Sequence, residues 1–111
     1  MRMWMVDPRI LCRKHLLGEH GELHKHRHNF EKKHSMTGRR GQIEPASMQA
    51  RHDELAKEME RRGYNHRSPY TQPDISYLPA DMTVDVMESL ADLCSRCSEC
   101  ATNYDEREEL R

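Results

Sequence analysis

His15, Glu19, Glu22 and His26 fall at i, i+4, i+7 and i+11, a spacing that lines side chains along one face of a helix. Two carboxylates flanked by imidazoles can move protons or hold a divalent metal; the alternative is a solvated face of local ion pairs. His20, His24 and His28 form a second row at four-residue spacing. Neighbouring members could share an ion, but the outer two stand about 12 Å apart, too far for one coordination sphere. Polar contacts to phosphate or water are the simpler expectation, and no metal is assigned there. Cys94, Cys97 and Cys100 read CxxCxxC, a spacing known from iron-sulfur proteins. The fourth ligand is missing nearby, and Cys12 is the only other cysteine. On a continuous helix Cys94 and Cys97 would be neighbours and Cys100 would have turned away, which predicts two buried thiols and one at the surface. No metal and no cofactor is therefore assigned.

Other chemistries are excluded. The chain has no GxxxxGK[ST] phosphate loop, no GxSxG elbow and no thiol-protease signature around its cysteines. A nucleotide hydrolase and a triad hydrolase are both set aside. The length of 111 residues allows one domain and one site. Leu, Ile, Val and Phe number only 16, but eight Met and one Trp enlarge the apolar inventory, and the net charge is only -1. That balance predicts a folded, thinly cored domain. The small net charge conceals a partition. Residues 1–67 hold 15 Lys/Arg against 9 Asp/Glu together with all eight His, whereas residues 68–111 hold 3 against 10. A basic portion ahead of an acidic one suits a polyanion-binding face with an acidic back, or two portions that attract each other. No apolar run approaches the length of a membrane span, and MRMWMVDP is too short for a secretory leader, so an intracellular, cytoplasmic protein is expected, its cysteines reduced thiols or a metal site rather than a disulfide scaffold.

The elements that must carry these residues are helices. MRMWMV reads as an extended arm, and Asp7-Pro8 as a cap followed by a first-turn proline. A long helix is predicted from about Pro8 to about Asn29, apolar in its first half and leaving the core where histidines replace aliphatic residues. Ser35 to Gln42 reads as a basic loop. A second helix is predicted from Pro45 or Ser47 to Arg62, with Met48, His52, Leu55 and Met59 on one face, Asp53/Lys57 and Glu58/Arg62 paired, and Gly63 as its stop. Residues 64–80, with three prolines and three tyrosines, predict an irregular, partly docked connection. A third helix from Thr83 to Cys100 would face Val86, Met87, Leu90, Leu93, Cys94 and Cys97 inward. The expected fold is all-α, a single domain over residues 1–102 with three main helices, followed by a charged tail at 103–111.

HLLGEHGEL (His15 to Leu23), RHDELAKEMERRGYN (Arg51 to Asn65) and DISYLP (Asp74 to Pro79), taken in order, resemble the phage-type pyrimidine-dimer DNA glycosylases, the dimer-excising endonuclease V group. The likeness covers about residues 1–80. It implies an all-helical DNA repair enzyme that cuts the glycosidic bond of a damaged or modified pyrimidine, such as a pyrimidine dimer, and nicks the strand by abasic-site lyase chemistry. It further implies that the N-terminal α-amine of Met1 is the nucleophile, forming an imine with the sugar, and that Glu22 is the catalytic carboxylate. Arg2 is too large for routine removal of the preceding methionine, so Met1 is expected to be retained. Arg2 and His15 match positions that contact the substrate or a flanking phosphate, Lys25 matches a phosphate clamp, and Lys33, Arg39 and Arg40 would extend that track. His20, also assigned to the DNA-binding set, stands where the family carries an aromatic residue.

Two further departures mark this chain. Gly21 replaces a family arginine, and the chain ends in DEREELR rather than in an aromatic, basic segment. The expected partner is double-stranded DNA, met by a monomer and no membrane. The competing readings are a non-catalytic DNA-binding protein of the same fold and a small metal-binding interaction module.

Overall fold

Asp7 and Pro8 open the chain's first turn as their types dictate: the Asp7 carboxylate accepts from the Arg9 amide at 2.9 Å, and Pro8 begins a 3₁₀ turn, Pro8–Ile10. The turn does not continue into the long helix. Leu11 is extended, Cys12 caps a new helix, and α1 spans Arg13–Glu31. Arg62, distant in sequence, donates to Leu11 O at 2.8 Å and to Pro8 O at 3.1 Å, where Pro8 O also accepts from the Leu11 amide at 3.1 Å.

The computed structural model describes residues 2–66 and 68–107. Met1 lies outside the described residues, as does the end of the chain from 108 onwards. Among the described residues there is no β-strand, only an isolated bridge between Arg40 and Ile43, and the fold is all-α with four α-helices. A 3₁₀ turn, Pro45–Ser47, leads into α2, Met48–Arg61, which ends at Gly63 with a φ of +84° that favours glycine. Asp85 caps α3, Val86–Arg96, by accepting from the Glu88 amide at 3.1 Å. Cys97, extended at φ -132° and ψ 107°, ends α3 and caps α4, Ser98–Asp105.

The predicted third helix is therefore two helices, and the cysteine expectation is corrected with it. The bend at Cys97 turns the following residues back toward the body, so Cys100 is fully buried while Cys94 and Cys97 are only half-buried. The inward face of α3 is also different. Val86 is 44% and Met87 70% exposed, because Met82 and Val84 fill the core just ahead of the helix, and Ser89 and Leu93 are its buried positions. At the far end, α4 runs into the segment expected to be tail, where Asn103 donates to Ile10 O at 2.9 Å.

α1 packs on α2, α3 on α4, and the first turn lies against both α2 and α4. One cluster of buried residues links all of these elements, with Ile10, Leu16, Leu23, Met48, Leu55 and Leu93 at its centre. The extended arm is part of that core rather than an appendage. Met3 and Trp4 are buried, worth roughly 1.5–3 kcal/mol each on the usual scale for a large side chain. The Met3 amide donates to Gln42 O at 2.8 Å. The second half of α1 does not leave the core either, since His26 and Phe30 are buried along with Leu23.

A buried ion pair fixes α1 to α2. Arg51 meets Glu19 through two contacts, Nε to Oε2 at 2.5 Å and Nη2 to Oε1 at 2.8 Å, with both side chains buried. The same guanidinium donates to Val6 O at 2.7 Å and so ties the arm to both helices. On α2, Glu58 accepts from Arg62 at 2.6 Å as the spacing predicts, and from Arg61 as well. Asp53 faces Gln49 and His52 instead of Lys57. The connection over 64–80 is irregular and docked. Tyr70 is buried, Gln49 and Gln72 exchange amide hydrogen bonds at 3.1 and 3.0 Å, and Arg27 donates to Thr71 O at 2.8 Å.

Candidate active site

Of the four residues aligned on the α1 face, Glu19 is consumed by Arg51. Glu22, one turn on, is not. It faces a cleft of about 200 Å³ whose wall also includes Arg2, Trp4, His15, Gly18, the ion-paired Glu19 and Arg96. The buried arm brings Arg2 and Trp4 to this cleft, and the first turns of α1 bring His15 and Glu22, so residues twenty apart in the chain share one wall. Glu22 Oε2 is buried with no hydrogen-bond partner among the described residues. The nearest ring nitrogen, His26 Nε2, stands 4.0 Å away, and both His26 nitrogens are likewise unpaired. Buried polar atoms are almost always satisfied, so an orphan carboxylate oxygen in a cleft marks a place where something binds or reacts.

The surroundings of the carboxylate are basic. Burial, reinforced by Arg39 and Lys25, pushes His26 down to about 4, so its ring stays neutral at physiological pH. Arg39 and Lys25 are thereby placed within Coulombic range of the ring next to Glu22. Arg2 is held by Asp92 of α3 at 2.6 Å and lies over the Trp4 ring at 4.8 Å. His15 meets Trp4 edge-on at 5.7 Å, while its Nδ1 faces away toward Cys12 Sγ at 3.1 Å.

The remaining basic residues of the sequence-derived set lie apart from the cleft wall. Lys33 approaches Asp74 at 3.5 Å and the Tyr77 ring at 5.5 Å, and Arg40 pairs with Asp81 at 2.5 Å. His20 occupies a different place altogether. It is buried, with its Nε2 3.1 Å from His52 Nε2 and 3.0 Å from His66 Nε2, and His24 and Tyr70 extend this ring cluster. Burial and its imidazole neighbours push His20 down to about 4. A neutral, buried ring packs; it does not offer a charge to phosphate. Gly21, by contrast, is exposed with open space around it, so a larger side chain would meet no steric barrier there.

Three participants escaped the sequence reading: Trp4 as a cleft wall, Asp92 as the partner of Arg2, and Arg51 as the residue that claims Glu19. The Arg51 and Glu19 pairing joins residues 32 positions apart, and nothing in local spacing announces it. A larger surface groove near the first turn and α4 is lined by Arg61 and Arg62, which are engaged by Glu58, together with Glu99 and Glu106.

No curated protein and no solved structure matches the chain significantly. The family model for pyrimidine dimer DNA glycosylases matches residues 1–72, which span the arm, α1 and α2 and so every described wall residue of the cleft except Arg96. With that match over more than half of its length, the chain belongs to the pyrimidine dimer DNA glycosylase family.

Proposed function

We propose that the protein is a DNA glycosylase with abasic-site lyase activity, acting on a damaged or modified pyrimidine through the α-amine of Met1 and the carboxylate of Glu22. The observation that carries this reading is the Glu22 oxygen, buried without a partner among the described residues, in a cleft also walled by Arg2. Met1 is bonded to Arg2, so its amine has one residue's length in which to meet the sugar.

The chemistry suits those groups. An α-amine has a pKa of about 7.7–8.0 against about 10.4 for lysine, so a far larger fraction is unprotonated at neutral pH. Its lone pair attacks C1′ of the deoxyribose as the glycosidic bond breaks and the electrons leave with the pyrimidine. Ring opening converts the adduct to an imine, and loss of the C2′ proton then expels the 3′ phosphate by β-elimination. Glu22 stabilises the cationic sugar and relays the protons of ring opening and elimination. The neutral His26 ring adds no competing charge beside it.

Arg2, Lys25 and Arg39 form the proposed inner phosphate contacts, with Lys33 and Arg40 extending the track; Arg2 and Arg40 would exchange Asp92 and Asp81 for phosphate on binding. His15 holds the cleft wall, and His20 is left to packing. The partner is double-stranded DNA inside the cell, bound by a monomer that must bend it or extrude a nucleotide to reach the target. No helix among the described residues is long and apolar enough to cross a membrane.

Borohydride reduction of the protein on abasic or irradiated duplex tests this reading. A stable adduct mapping to the N-terminal residue, abolished by an uncleaved N-terminal tag, is expected. Turnover that persists in the tagged protein would remove Met1 from the mechanism, and intact binding without any adduct would favour a passive DNA-binding protein.

A further inference from the structure

Cys12 and His15 lie three residues apart at the start of α1, and Cys97 and Cys100 three residues apart at the start of α4. The packing of α4 against the first turn brings these two pairs together. One ligand atom from each, three Sγ and His15 Nδ1, all fall within 4.8 Å of one another. Cys12 Sγ is 3.1 Å from His15 Nδ1 and 3.9 Å from Cys97 Sγ, and Cys100 Sγ is 3.6 Å from the same imidazole nitrogen. For a tetrahedral zinc ion, with Zn–S about 2.3 Å and Zn–N about 2.0–2.1 Å, the edges come to about 3.8 Å between sulfurs and about 3.6 Å between sulfur and nitrogen. The Cys12–Cys97 and Cys100–His15 separations already match those edges, and the Cys12–His15 separation is shorter by about half an ångström.

The Cys12 amide donates to Cys100 Sγ at 3.3 Å and the Cys100 amide to Cys97 Sγ at 3.4 Å, so the amino ends of two helices direct N–H groups at the sulfurs. All four cysteines are free, and Cys94, only half-buried, does not belong to the group. The separation suits one ion rather than a multi-iron cluster, which would hold its ligands farther apart, and three sulfurs with one imidazole is a closed structural set.

We infer that Cys12, His15, Cys97 and Cys100 bind one structural Zn²⁺ ion that clamps α4 to the amino end of α1. Two ligands lie within the family-matched residues and two beyond them, so the ion joins the C-terminal helices to the family domain. Coordination through Nδ1 also leaves His15 Nε2 as the ring's N–H and holds the ring against Trp4, fixing one wall of the proposed cleft.

The test is elemental analysis of the full-length protein purified without added metal or chelator, followed by Co²⁺ substitution. About one zinc per chain is expected, together with the intense absorption of tetrahedral cobalt-thiolate coordination. The metal should persist in Cys94→Ser and be lost in Cys97→Ser and Cys100→Ser. Circular dichroism of each variant shows whether it folds, and cobalt titration of the chelator-stripped wild-type chain gives a readout that needs no variant. Absence of zinc together with failure to bind cobalt would overturn the inference. So would a disulfide among these cysteines in freshly isolated protein, an iron-sulfur chromophore, or metal that survives both cysteine substitutions but is lost in His66→Asn. None of these readouts depends on glycosylase activity, so the zinc site and the proposed function stand or fall separately.

Discussion

Glu22 and Glu19 show how little a residue type says before its partner is known. Both are carboxylates on one helix face and both line the cleft, yet Arg51 neutralises Glu19 while Glu22 keeps an oxygen with no partner among the described residues. Glu22→Gln preserves shape and removes the charge. It should retain duplex binding while single-turnover base release falls by about 10²–10⁴-fold; an unchanged rate would place the catalytic acid elsewhere. His26 and His20 make a separate prediction at this scale. Each is held near 4 in the folded protein by burial, against an ordinary value of 6.5. Below that ordinary value the unfolded chain binds protons that the native rings refuse, so stability should be fully present above pH 6.5 and decline as the pH falls toward 4. Urea unfolding across that window should show the decline, and His26→Leu should make it shallower.

Among the elements, the arm and α1 supply the cleft wall together with Arg96 of α3, and Arg51 of α2 is the joint between arm and helix. One guanidinium spans Glu19 on α1 and Val6 on the arm. Truncating it strands a buried carboxylate, and Arg51→Ala should destabilise the fold by about 3–5 kcal/mol, read as a lower denaturation midpoint. Replacing both partners, Arg51→Met with Glu19→Leu, should recover much of that loss, because an apolar pair leaves no buried charge unpaired. If the double variant were no more stable than the single one, the carbonyl of Val6 rather than Glu19 would be the interaction that matters. The same scale explains the split of the predicted third helix. A helical period reads identically on both sides of Cys97, and only the seat of α4 against the first turn decides that the chain bends there.

For the whole molecule, charge is partitioned between a basic portion, residues 1–67, and an acidic one, and the fold joins the two. Arg2 meets Asp92, Arg40 meets Asp81, and Lys33 meets Asp74. The ion pairs show the attraction between portions, and under the proposed function the same acidic residues occupy basic groups that phosphate would claim. Affinity for duplex should fall steeply as salt rises, and Lys25→Ala and Arg39→Ala should each reduce the slope of log affinity against log salt by about one. A slope unaffected by both would move the DNA face away from the cleft.

The helical class, the Asp7-Pro8 turn, the Gly63 stop and the docked irregular connection were legible in the sequence, because each depends on backbone preferences and spacing that act over a few residues. Glu22 was legible as a carboxylate on one helix face, and the role proposed for it comes from the family likeness of its stretch. Local spacing was silent on which acid Arg51 would claim, on the burial of the histidine-rich half of α1, and on the assembly of Cys12 and His15 with Cys97 and Cys100. Those outcomes join residues tens of positions apart. A residue's type sets what it can bind; whether water, an ion partner or a neighbouring ring is there to be bound is decided only when the helices close on one another.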